Sequence, residues 1–374
     1  MDLELSDEQR WLDESINTLL DRQWPPAQDA WQAGDADRTR LWGSLVEFGL
    51  VAGAENELGA VELCLAARAI GAHLASVPLL GSVGVRYALA PVAASLPDGL
   101  SVLLGSESRL SIALLEPGRG WSVSDVGATV SSNRLTGTKA AVEHASGVDY
   151  FAVVTIADGG AGLAIVRSDA PGVQITPQSG LDATVALSRV AFAEVNVEAV
   201  FEHELAAAIT DRLLSIGALL AAAESVGAAG MVFALARQYA SERRQFGRTI
   251  ASNQALRHLM ADLHVRQASS WSTVLYAAAA LDDGIALAAQ TASVAKAYVS
   301  RAAREVAHGS MQVFGGIAFT DEHPAHRFLR RIIVREQQFG DAAHHERELG
   351  RALAAGAAAR DTTPVASARM NGAA

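Results

Sequence analysis

The 374-residue chain carries 41 acidic against 30 basic side chains, a formal charge of −11. That balance excludes a broadly basic nucleic-acid surface and leaves room only for a local basic pocket. With half the residues hydrophobic and 19% charged, disorder is excluded and a core divided among two or three domains is expected.

Cysteine usage and the chain start bear on compartment. A lone cysteine, Cys64, cannot build a disulfide framework, and the start "MDLELSDEQR" is too acidic and polar for a signal peptide. The most apolar run, "LLSIGALLAAAESVGAAGMVFALA", is interrupted by Glu224 and by small residues, so no membrane span is expected. These features together point to a cytoplasmic protein.

Residues 1–98 read as an N-terminal α-helical domain. Asp7 is placed to cap a first helix in which Trp11, Leu12, Ile16, Leu19 and Leu20 recur at helical spacing. Further helical patterns run through "RTRLWGSLVEFGL", "AVELCLAARAIGAHL" and "GVRYALAPVAAS". Over residues 99–200 the period changes to that of strands, in "RLSIALLEP", "GATVSSNRLTGTKAAVEHA" and "ALSRVAFAEVNV". "VDYFAVVTIADGGAGLAIVRSD" reads as a hairpin turning at Asp158-Gly159-Gly160. From 201 to 357 helices resume. The first, over about 205–243, is apolar on nearly all sides and so is expected to be buried among others. The small, polar residues 358–374 are expected to form a disordered tail.

Two stretches could hold a ligand. In "ALARQYASERRQFGRTI" four arginines fall within a few turns, and a guanidinium fork matches phosphate oxygens with paired hydrogen bonds. A solvated face, or ion pairs to neighbours such as Glu242, accounts for the same spacing. In "HGSMQVFGGIAFTDEHP", Gly315 and Gly316 would let a ligand approach the backbone, or would simply end a helix. No metal site is expected. His344 and His345 are adjacent and so point to different sides of a helix, and His323 with His326 lacks a third ligand. No G-x-S-x-G element appears, and Cys64 sits in an apolar helix.

Taken together, these segments resemble the acyl-CoA dehydrogenase family. "YASERRQFGRTIASNQALRHLMADL" is similar to its Y-x-x-x-R-x-x-F-G…Q…A-[DE] segment, and "MQVFGGIAFTDEHPAHRFLRR" to its Q-x-x-G-G-x-G-[FY]…E-x-P…R-[DR] segment. The resemblance implies a mixed α and β fold: an N-terminal helical domain, a central small β-barrel-like domain and a C-terminal four-helix bundle. It implies FAD, an acyl-CoA substrate desaturated between its α and β carbons, and an electron-transfer flavoprotein or similar acceptor. By the same resemblance, Arg243, Gln245, Phe246, Asn253, Gln254, Gln312, Gly315 and Gly316 would reach the FAD of a neighbouring subunit.

The departures from the family pattern are as informative. The family's T-E-P-G-x-G-S reads "LEPGRGW" here, with Leu115 for Thr and Trp121 for Ser. Its W-[IS]-[ST] strand reads Ala141-Val142-Glu143, and Ala318 replaces the third glycine of G-G-x-G. A Trp ring in place of a hydroxyl, and a carboxylate beside a phosphate-bearing cofactor, oppose flavin binding. The usual base position aligns with Phe339 and the alternative one with Gly217, which leaves Glu224 and Glu336 as displaced candidates. The expected protein is therefore the shortened partner subunit of an α2β2 acyl-CoA dehydrogenase, completing another chain's FAD site. A complete homotetrameric enzyme with a relocated base, or a non-redox scaffold keeping the fold, are the alternatives.

Overall fold

The computed structural model describes residues 3–51, 58–95 and 107–361. The expected domain boundary at 98/99 and residues 362–374 of the expected tail lie outside them. The first helix, α1 (Asp7–Gln23), is capped by Ser6 rather than by Asp7. The Ser6 hydroxyl accepts from the Gln9 amide while the Gln9 side chain accepts from the Ser6 amide, a reciprocal box that satisfies two orphan donors. Next come α2 (Asp35–Glu47), α3 (Ala60–Ala72) and α4 (Leu79–Leu89). The N-terminus of α3 is tied to the far end of the chain, because Asp282 accepts from the Ala60 and Val61 amides at 2.6 and 3.1 Å.

The central sheet has eight strands: β1 (Leu110–Ala113), β2 (Thr129–Ser131), β3 (Arg134–Glu143), β4 (Tyr150–Ala157), β5 (Gly160–Arg167), β6 (Val173–Gln178), β7 (Leu187–Asn196) and β8 (Ala199–Glu202). Their order is β6-β7-β3-β2-β4-β5-β8. One edge of β4 is shared by β1 along its first half and β2 at its end, both parallel to it. The β4–β5 hairpin turns on Asp158 and Gly159 alone, both at positive φ, as a two-residue turn demands. The short "VQITPQ", with a proline near its end, concealed β6, a largely exposed strand in which Val173 and Ile175 are only half-buried.

The C-terminal helices begin with α5 (His203–Glu242), 40 residues long. By length and hydropathy it could cross a membrane, but 78% of its most apolar window is buried inside the protein. It is the helix around which the others pack: α6 (Gln254–Asp282), α7 (Ala288–Phe314) and α8 (Ala325–Gln337) against its length, and α9 (Ala342–Asp361) behind α7. Its crossing with α3 is backbone to backbone. A Cβ on Gly227 would lie 1.8 Å from the Arg68 carbonyl, and one on Gly71 2.0 Å from that of Glu224, so only glycine fits either place.

The three layers meet at a fully buried guanidinium. Arg331 of α8 bonds Asp182 from the loop before β7 and Glu224 of α5, both at 2.6 Å. It also donates to the carbonyls of Leu74 and Ala75 beyond α3 and to the Thr184 hydroxyl. One turn on, Arg335 makes a forked pair with Glu143 at the end of β3, at 2.7 and 2.8 Å, and lies 2.9 Å from the second Glu224 oxygen. Burial alone would raise the Asp182 carboxyl, but Arg331 and Thr184 hold it below the usual range. Deleting one partner strands the others without a counter-charge. Arg331→Met is expected to lower stability by about 3–5 kcal/mol, read as a lower urea midpoint at unchanged slope.

Candidate functional site

The two ligand-like motifs come together at one end of the helical domain. Beyond α5 the chain forms a short hairpin, β9 (Arg244–Gln245) and β10 (Arg248–Thr249), turning on Phe246 and Gly247 at φ 52° and 80°. Arg243, Arg244, Gln245 and Arg248 are exposed, and Phe246 is 100% exposed. Asn253 caps α6 by accepting from the Ala255 amide, with exposed Gln254 next to it. The Tyr239 ring in the last turn of α5 packs 5.3 Å from Phe314, the last residue of α7. That contact sets the hairpin beside Gln312, Gly315 and Gly316, all exposed, with Gly315 at φ 68°. The eight residues that the family resemblance singles out thus occupy one exposed end of the bundle. Ala318 is buried in the short helical turn that follows.

A second region lies between the sheet and the bundle, where the family pattern departs most. Its inner cavity is lined by Leu115, Trp121, Ala141, Glu143 and Phe339 and holds only about 50 Å³. A dry cavity of roughly 150 Å³ is what one benzene ring occupies, so the three fused rings of a flavin do not fit here. Ala141 sits at φ 51° in a bulge where the β3–β7 register shifts. Glu143 was expected to oppose a phosphate, but it is not a free anion. Burial would raise its carboxyl, whereas Arg335, with His144 behind it, holds it well below the usual range. Glu116 of the "LEPG" loop is likewise engaged, with buried Lys139 at 2.7 Å.

Phe339 and Gly217, the two positions aligned with a catalytic base, face each other. A Cβ on Gly217 would lie 2.5 Å from the Phe339 ring. An aromatic ring therefore covers the place where either carboxylate would stand. Of the remaining candidates, Glu224 is fully buried between Arg331 and Arg335, and Glu336 is paired with Arg304 at 3.0 Å. Trp121 and Phe339 also form the wall of an outer groove of about 440 Å³ between the 121–124 loop, α5, α7 and α9. His344 and His345, read as neighbours on different sides of a helix, both line this groove. Asp158, Glu202 and His203 come close together at the β4–β5 turn, Asp158 and His203 exposed and Glu202 half-buried, and exposed acidic groups of this kind are common without an ion.

The Phe339 turn is held from beneath by Lys296, which no motif marks, and by His345, weighed in the sequence only as a metal ligand. Lys296 of α7, fully buried, donates to the carbonyls of Arg335 and Glu336, both at 2.8 Å, and so caps α8. His345 donates from Nε2 to the Phe339 carbonyl at 3.0 Å. Burial lowers Lys296 to about 7 and, with Lys296 nearby, lowers His345 to about 4. A lysine that sheds its proton more readily when folded leaves the unfolded chain holding more protons between pH 7 and 10.5. Stability should therefore rise with pH across that window. Thermal melts from pH 7 to 10 should show this rise in the natural chain and lose it in Lys296→Met.

Comparison with known proteins agrees with this architecture. Residues 207–354 match the family model described as acyl-CoA dehydrogenase, C-terminal domain. The acyl-CoA dehydrogenase FadE27 of Mycobacterium tuberculosis is 29% identical over 332 residues, covering 84% of this chain and 88% of that protein. A chain of the ChsE4-ChsE5 complex from Mycobacterium tuberculosis superposes with a TM-score of 0.83 at 26% identity, covering 95% of this chain and 99% of that one. A variant of the Tcur3481-Tcur3483 steroid ACAD gives the same TM-score and identity over 94% and 99%. A helical layer, a central sheet and a helical bundle in this order are the architecture shared with these acyl-CoA dehydrogenases. The chain belongs to the acyl-CoA dehydrogenase family.

Proposed function

We propose that this chain is the partner subunit of a two-chain α2β2 acyl-CoA dehydrogenase, completing an FAD site built mainly on the other subunit. The observation that carries the reading is a mismatch within one chain. Its hairpin and glycine turn are fully presented at the surface, while its own cradle is reduced to about 50 Å³ behind Trp121 and Phe339. Arg243 would grip phosphate oxygens of the shared FAD, and Gln245, Phe246, Asn253, Gln254 and Gln312 would contact it beside the amides of Gly315 and Gly316. Bound there, the flavin supplies the hydride acceptor for α,β-desaturation. The base that removes the α proton comes from the other subunit, because Glu224 and Glu336 are both committed to arginines here.

The complex would work in the cytoplasm and hand electrons to an electron-transfer flavoprotein or a similar acceptor. The relatives favour a lipid or steroid acyl-CoA as substrate, since one of them is itself named a steroid enzyme. The test is flavin stoichiometry with and without a candidate second subunit from the same genome. The chain alone should be colourless, and the co-purified complex should carry FAD and desaturate acyl-CoA. One FAD per chain and full activity in the isolated protein would sink the proposal. Within the complex, Arg243→Ala should cut flavin retention on dilution by at least tenfold, since a charge-assisted phosphate contact is worth about 1.5–3 kcal/mol. Unchanged retention would return the hairpin to a solvated face.

A further inference from the structure

The Phe339 ring stands between two spaces. Among the described residues, only Phe339 and Trp121 line both the inner cavity of about 50 Å³ and the outer groove of about 440 Å³. These two half-buried aromatic side chains are therefore the partition between them. The backbone that carries the ring is clamped. Phe339 lies at φ 56° and Gly340 at φ 98° in the turn between α8 and α9, a conformation strained for an aromatic residue. His345 holds the Phe339 carbonyl, and Glu143 accepts from the Gln338 side chain next to it.

The ring itself is held differently. It rests on Gly217 of α5, where a Cβ would meet ring atoms alone, at 2.5, 2.7 and 2.8 Å. At Gly227 of the same helix a Cβ would meet the Arg68 carbonyl instead, so there a whole helix would have to shift. Gly217 thus makes room for a side chain rather than for a helix crossing. Space decides where that side chain can go. A benzene ring fills a dry cavity of roughly 150 Å³, so the inner cavity is too small to receive the phenyl group and the groove is large enough. We propose that Phe339 is a gate. Resting on Gly217, its ring divides the two spaces; in a second rotamer, swung outwards into the groove, it joins them. This goes beyond the subunit reading above, and its test needs neither flavin nor a second chain.

Fluorine NMR of the full-length chain labelled with 4-fluorophenylalanine tests this, the Phe339 signal being the one lost in Phe339→Leu. In the natural chain that signal should exchange with a minor state, seen by relaxation dispersion or saturation transfer. A line free of exchange at every temperature below the melt overturns the proposal, and this result decides alone where a variant does not fold. Gly217→Ala, a change that helix propensity favours, puts a methyl group where the closed ring lies. The Phe339 signal should then settle at the minor-state position, and its shift between H2O and D2O should grow at least twofold as the ring meets solvent. Phe233 of α5 and Phe328 of α8, both buried, should keep their signals, which shows that the helices have stayed in place. A Phe339 signal unmoved in Gly217→Ala, or one that moves only together with Phe233 and Phe328, overturns the gate.

Discussion

The forked pair between Arg335 and Glu143, continued through Glu224 to Arg331, is the constraint on which the rest of the site depends. It runs from the end of β3 into the bundle and from there to the carbonyls that follow α3. Five ionised groups taken from water would be costly if any stood alone. Here each carboxylate faces a guanidinium, and backbone carbonyls take up the remaining Arg331 donors, so the layers can meet in one arrangement only. Arg335 and Glu143 also both contact Gln338, so the network fixes the turn carrying Phe339.

That placement explains why the inner cavity is small. In a chain that holds its own flavin, the seam between sheet and bundle must stay open enough for three fused rings. Here the seam is closed by an ion pair across it, by the Trp121 indole and by the Phe339 ring packed on Gly217. Lys296 and His345 secure the same turn from below, bonding the carbonyls of residues 335, 336 and 339. The narrowing is thus a property of several elements acting together.

Much of this was legible in the sequence, and the exceptions share a physical cause. The helical and strand periods place most elements, and the arginine- and glycine-bearing motifs stand out separately, their meeting at one end of the bundle being visible only in the fold. Leu115, Trp121 and Phe339 stand out as departures on pattern alone. Glu143 reads as a lone carboxylate because its partner, Arg335, lies 192 positions away. Lys296 and His345 carry no motif, and their significance comes only from the turn that folding places above them. Ser6 displaces Asp7 as the cap because Gln9, three residues on, completes the box. The strand β6 escapes because it is short and only Val173 and Ile175 mark its apolar face before Pro177.

The hairpin carries the converse argument. Phe246 is fully exposed and sits at φ 52°, a conformation an aromatic residue seldom adopts. The inference runs from such an outlier to function. Nothing among the described residues repays either the strain or the exposed ring, and Phe246 is flanked by Arg244, Gln245 and Arg248, which are exposed as well. A contact outside the chain would repay both at once, by burying the ring and pairing the guanidinium groups. On the proposed function, the narrow inner cavity and the exposed hairpin would be one division of labour: the surface that holds a phosphate-bearing ligand kept, the interior that holds its rings given up.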